Sequence, residues 1–331
     1  FEARVLKETF NAAATRGEPA YLFLDELQNV REWAAQLKSL VDNSEVRVVV
    51  TGSSALRIEQ GRDSLAGRIS TLETGVLSLT EISALRGFGE LSPFLADNGL
   101  EAMTRREFWI RLVEYGRLHS AIRDRAFEAF SERGGYPLVH LRAELDWSLV
   151  ADQLNETVIK RVIQHDLRVG ERGRKRDASL LEELFRLACR YAGQSPSADL
   201  FSREVQRALG ANVGRQRVAA YLRFLGDTLL LRVVPPLEIR LKRQKGNAKV
   251  CLVDHGLRAS WLQEIIPLAP RRLREMPELT TLAGHLAESV VGATLSTIHH
   301  LDLSHFPARG AEPEVDFILT LGAIRIPLEV K

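Results

Sequence analysis

The segment that most constrains this chain is Tyr21 to Glu26, YLFLDE, in which four consecutive apolar residues run into two carboxylates. An uninterrupted apolar run of that length reads as a buried strand, and the acids mark the end where it meets solvent. Before it, Arg4 to Ala14 is helical in pattern. After it, Arg31 to Val41 carries Trp33, Leu37, Leu40 and Val41 at helical spacing, and VRVVV, Val46 to Val50, supplies a second apolar strand. Alternation of strand, helix and strand predicts half of a doubly wound parallel α/β sheet over residues 1–75.

Past residue 75 the pattern changes. From 76 to 170 strands are scarce and amphipathic helices dominate, with a break at Gly134-Gly135-Tyr136-Pro137 and a long helical stretch from Trp147 to Leu167. Residues 76–177 are expected to form a helical lid or connector that ends in ERGRKRD, Glu171 to Asp177, a polar surface linker. Three helix-sized patterns follow, Ser179 to Tyr191, Ser202 to Leu209 and Val213 to Leu225, and then two strand-like runs, LLLRVV and KVCLV, joined by RLKRQKGNAK. Three helices and a hairpin is the order of a winged helix, predicted here over 178–262. Its third helix would expose Arg215, Gln216, Arg217 and Arg223, and its wing would carry Lys242, Arg243, Lys245 and Lys249, cations suited to DNA phosphates. From 263 onward, a helix over Leu279 to Leu295, the extended LDLSHF and a hairpin turning near Leu321-Gly322-Ala323 read as the start of another α/β domain.

Composition sets the limits. With 331 residues, 45% of them hydrophobic, the chain can fill two or three domains. Lys and Arg total 45 against 43 Asp and Glu, so any nucleic-acid surface must be local. The two cysteines, Cys189 and Cys251, lack metal-ligand spacing, which fits a reducing compartment and a cytoplasmic location. No apolar run approaches the roughly 20 residues that cross a bilayer, so no membrane partner is expected. His299, His300 and His305 read as a turn and a strand edge, and the tryptophans as core. The chain starts at Phe1 and stops at Lys331 just after the strand-like IPLEV, so both ends are expected to be cut.

Asp25 and Glu26 carry the first chemistry. Phosphate hydrolysis needs one carboxylate to hold the shell of a Mg2+ ion and another to orient the attacking water, both at the mouth of a buried parallel strand. The second strand ends in Thr51-Gly52-Ser53-Ser54. TGSS is ordinary turn chemistry; a strand pair ending in Asp-Glu and in a polar residue also resembles AAA+ P-loop ATPases, and that resemblance implies Thr51, then Ser53, as the contact to the attacking water or terminal phosphate.

Taken together, LFLDELQNV, Trp33, VVVTGSS, Ser64 to Arg68, Leu77 to Glu81, GGYP, the run Val253 to Arg258, EVDF and EVK resemble, in order and over nearly the whole chain, the prokaryotic AAA+ P-loop ATPases that carry a C-terminal domain of uncharacterised function. The resemblance implies ATP and Mg2+ as cofactors and a nucleotide-dependent switch or remodeller, for which the winged-helix reading makes DNA the expected partner. It also implies Arg68 as an arginine finger reaching a neighbouring copy in a homo-oligomer, and GGYP as an element touching nucleotide. One motif is missing: the 331 residues contain no G-x-x-x-x-G-K-[ST] loop, the element that cradles phosphates. In the family it precedes the Asp-Glu strand, so it is expected upstream of Phe1.

The last hairpin suggests a different chemistry. Asp316, Glu329 and Lys331, with Glu288 on the preceding helix, follow the order of restriction-endonuclease-like (PD-(D/E)XK-type) sites. There, acids hold Mg2+ and a lysine positions the attacking water. Metal ligands are thus expected at Asp25, Asp316 and Glu329. Three functions remain open: the ATP-driven remodeller, a DNA-binding regulator with degenerate catalytic parts, and an ATP-gated Mg2+-dependent DNA nuclease.

Overall fold

The computed structural model describes residues 20–25, 33–52, 68, 70, 72–95, 97, 99–165, 177–238, 246–308 and 313–331. The chain divides into two compact units, Phe1–Glu73 with Asp227–Leu229, and Thr74–Gly226 with Leu230–Lys331. The expected helix over Arg4 to Ala14 and the segments around Glu26, Ser53, Ser64 to Gly67 and Lys242 to Lys245 lie outside the described residues.

In the first unit, β1 (Ala20–Leu24) and β2 (Val46–Val50) pair in parallel, Ala20 opposite Val46 through Leu24 opposite Val50, with α1 (Trp33–Asn43) between them in sequence. Trp33, Leu37 and Leu40 recur along one stripe of α1. They bury against Ala20, Leu22 and Leu24 of β1 and Val46, Val48 and Val50 of β2. The other face of the pair leaves Tyr21, Phe23 and Val49 exposed. The fold is mixed α/β with small sheets, and among the described residues this two-stranded pair is the parallel sheet. A doubly wound sheet is therefore not shown.

The second unit opens with helices: α2 (Leu79–Leu85), α3 (Leu100–Met103), α4 (Arg106–Leu118), α5 (Ser120–Arg133), α6 (Pro137–Leu141), α7 (Trp147–Leu154) and, beyond a π-helical turn at Asn155–Lys160, α8 (Arg161–His165). The π turn has a cause in the sequence. Val150, Leu154, Ile159 and Ile163 are all fully buried, yet the middle step is five residues where a regular helix needs four. Closing that turn with one extra residue returns Ile159 to the stripe begun by Val150 and Leu154.

Next come α9 (Ala178–Arg190), α10 (Ala198–Leu209), α11 (Arg215–Asp227) and the antiparallel strands β3 (Leu231–Val234) and β4 (Lys249–Leu252). The remaining elements are α12 (His255–Leu262), α13 (Pro270–Glu275), α14 (Thr280–Leu295) and the antiparallel sheet β5 (Asp302–Phe306), β6 (Val315–Leu321), β7 (Ile324–Leu328). The hairpin of β3 and β4 does not stand away from the fold. All four residues of β4 are buried, and Val234 and Cys251 share a core with Ala293 of α14 and Leu303, Phe317 and Leu319 of the last sheet. Gly292 permits the contact: a Cβ there would lie 2.6 Å from Cys251 Sγ and 2.7 Å from the Phe317 ring. Beyond β3 the chain runs along β5, with Leu237 N donating to His305 O at 2.8 Å and His305 N to Pro235 O at 3.0 Å.

Candidate functional site

Parallel pairing brings the carboxyl ends of β1 and β2 to one edge, and the residues that leave those ends are Asp25 and Thr51. Thr51 N donates to Leu24 O at 2.8 Å, which extends the ladder one step past β2. The Thr51 hydroxyl then donates to Asp25 Oδ1. A carboxylate and a hydroxyl held together at a parallel-strand mouth form a hard-oxygen donor set of the kind Mg2+ prefers, so the residues present fit that ion. Arg68 Nε donates to Asp42 Oδ1 at 2.6 Å, so this guanidinium is engaged by an acid of α1 within its own chain. Glu26 and Ser53 lie outside the described residues.

In the second unit, three of the sequence motifs meet. Leu77 to Glu81 is a capping box: Glu81 N donates to Ser78 Oγ at 3.3 Å and Ser78 N to Glu81 Oε2 at 2.8 Å, which starts α2. Leu77 N donates to Gly135 O of GGYP at 2.7 Å. Gly135 N in turn donates to Asp254 Oδ2, and Asp254 Oδ1 accepts Gly256 N as the N-cap of α12. Asp254 is 2% exposed. Gly134 turns at φ 83°, and a Cβ there would collide with Asp254 Oδ1, so the approach requires glycine. His140 Nε2 donates to Gly134 O at 2.8 Å, and burial holds its imidazole below the ordinary range. His255 is lowered by burial too, against the opposing pull of Asp254. Burial and Asp254 both push the Tyr136 phenol up. GGYP and the run Val253 to Arg258 thus form one joint.

The predicted nuclease residues separate into two groups. Glu288 of α14 and Asp316 of β6 do come together, around Lys249 of β4. Its ammonium lies 2.6 Å from Glu288 Oε2, 3.2 Å from Asp316 Oδ1 and 3.5 Å from Glu314 Oε1, over the Phe317 ring. Asp316 Oδ2 accepts Val330 N at 2.9 Å. Burial alone would lower Lys249, but the acids hold it above its ordinary value. Burial raises the Glu288 carboxyl despite Lys249, whereas the Val330 amide and Lys249 outweigh burial at Asp316 and hold it low. Glu329 and Lys331 are exposed.

Two expectations change here. Lys249, taken as an exposed wing cation, is 1% exposed and internal. Asp316, taken as a metal ligand, already has both oxygens engaged. An ammonium has three donors, and Lys249 faces three carboxylates, so the position between Glu288 and Asp316 is filled by protein. Among the described residues no group of three or more His, Cys, Asp or Glu could hold a metal ion.

The arginines of α11 are partly committed as well. Arg215 pairs with Asp199, Arg217 lies 3.9 Å from Asp177 and over the Tyr221 ring, and Arg223 is exposed. Lys242, Arg243 and Lys245 lie outside the described residues. Cys189 and Cys251 are free and buried, and burial pushes the Cys251 thiol up to about 12. No described helix is long and apolar enough to cross a membrane.

The comparison with family models follows the same division. Residues 1–83 match the model of the AAA domain. The match covers the paired strands with Asp25 and Thr51 at their ends, and it supports an AAA-type P-loop domain with a nucleotide-binding function in this part of the chain. Residues 124–265 match a domain of unknown function, DUF8612, which spans both GGYP and Asp254. No curated protein matches the chain.

Sequence reasoning missed Lys249 as the partner of Glu288 and Asp316, and Asp254 as the joint. An Asp two residues before a glycine at a helix start is a readable N-cap signal. Nothing in a run of basic residues distinguishes the one lysine that turns inward.

Proposed function

We propose that the AAA-like segment is the metal-and-water half of an ATP-hydrolysing site, and that the protein is a nucleotide-dependent switch or remodeller. The observation that carries this is the hydrogen bond of Thr51 to Asp25 across the carboxyl ends of two parallel strands. Asp25 would hold the shell of a Mg2+ ion, which when bound supplies charge neutralisation on the phosphates. Thr51 keeps the Asp25 carboxylate oriented and presents a hydroxyl at the edge where a terminal phosphate or its attacking water would lie. Glu26, next in the chain, is the proposed water-orienting base, and Arg68 the proposed contribution to a neighbouring copy's site. The test is ATP turnover by the full-length protein. Asp25→Asn and Glu26→Gln should each lower kcat by about 10²–10³-fold, and Thr51→Ala less. Turnover that survives Asp25→Asn unchanged would overturn the proposal.

Action on DNA is a second proposal, supported by the exposed Arg223 and the order of three helices and a hairpin. It is weakened by the acids that engage Arg215 and Arg217. Stimulation of turnover by DNA, falling steeply with salt, would support it. A nuclease is the least supported outcome, because Lys249 fills the place its metal would need.

A further inference from the structure

A cleft of about 520 Å³ in the second unit is lined by Arg186 and Arg190 of α9, Arg258 and Trp261 of α12, and Gln263 and Glu264 just beyond it. Three guanidiniums face it and one carboxylate. Glu264 reaches back because Gln263 turns at φ 53°, and it accepts from Arg258 twice, on its backbone oxygen at 3.2 Å and on Oε2 at 2.5 Å. Arg258 is 3% exposed. Its Nε–H has no acceptor, and neither has the buried indole N–H of Trp261. Arg186 meets Glu183 at 3.4 Å, with its side chain still 45% exposed.

The cleft therefore has surplus positive charge, and two of its lining residues carry buried donors without partners, while native interiors normally pair such groups. A simpler account makes these arginines caps for the carbonyl ends of α9 and α12. It suits Arg190, in the last turn of α9. It accounts for only part of Arg258, which donates to Glu264 O just past α12 and keeps a buried Nε–H with no acceptor. We propose that this cleft binds the phosphoryl group of a small phosphorylated molecule. Arg186, Arg190 and Arg258 would hold the phosphoryl oxygens, with the rest of the ligand against Trp261. Guanidiniums match phosphate oxygens in geometry as well as charge, and the cleft is roomier than a bare ion requires.

The proposal does not depend on the ATPase reading, and its test is kept apart from it. The full chain is titrated by calorimetry with inorganic phosphate and with phenyl phosphate. Saturable binding is expected, weakened at least about tenfold by Arg190→Gln, which changes an exposed residue and leaves folding intact, and further by Arg258→Lys. Asp25→Asn should leave this binding unchanged. Tighter binding of phenyl phosphate would identify an ester as the ligand, and equal affinity the free ion; both support the site. No saturable heat with either probe, or unchanged affinity in Arg190→Gln and Arg258→Lys alike, would overturn it, as would loss of binding in Asp25→Asn.

Discussion

Lys249 gains its importance from the groups around it. Two largely buried carboxylates, Glu288 and Asp316, share its ammonium, with side chains 20% and 11% exposed against 1% for the lysine. Removing one member of such a set leaves the others charged and unpaired, which typically costs about 3–5 kcal/mol, whereas replacing the whole set by apolar side chains is often neutral. Lys249→Met should therefore destabilise the second unit by about that amount in urea unfolding. The triple change Lys249→Met, Glu288→Leu, Asp316→Leu should recover most of the loss. At this scale the sequence was legible in part. Asp25 and Thr51 could be placed at adjacent strand ends because apolar runs fix where strands stop. The convergence of Glu288 and Asp316 was readable from their order. Lys249 was not, since a lysine at the start of an apolar run gives no sign of which way it points.

Among the elements, the joint between GGYP and α12 rests on one carboxylate. Asp254 accepts the backbone amides of Gly135 and Gly256, 119 residues apart for the first pair and two for the second. Asp254→Ala removes an N-cap, worth about 1 kcal/mol, and orphans a buried amide, worth about 1–3 kcal/mol. Faster hydrogen exchange at Gly135 and Gly256 is the expected local sign, ahead of any change in α9 or α10. Helices and strands themselves were well marked in the sequence. VRVVV occupies β2 residue for residue, and the hairpin turn falls at Gly322-Ala323 between Leu321 and Ile324. What periodicity could not supply was pairing at long range. The β3–β4 hairpin reads as a free wing until α14 and β6 are seen to cover it.

For the whole second unit, buried imidazoles give the pH dependence. Burial lowers His140, His255 and His305 below their ordinary value, which is about 6.5 in an unfolded chain. All three are neutral in both states above that pH, so their contribution is complete there. As pH falls below about 6.5 the unfolded chain takes up protons that the folded one resists, and stability declines. The thermal midpoint should drop between pH 7.5 and 5.5, and His140→Gln should flatten that slope. A midpoint that rises on acidification would contradict the assignment.

The long helix from Trp147 to His165 holds one residue more than its apolar stripe requires, and the π turn takes up the slack. Elsewhere along that rod, adding or losing a residue would swing everything beyond it through about 100° and carry Ile159 or Ile163 out of the core. Between Leu154 and Ile159, the loss of one residue would tighten the wide turn into an ordinary one and leave the stripe aligned. Here the rod can change length by a single residue without being twisted out of phase.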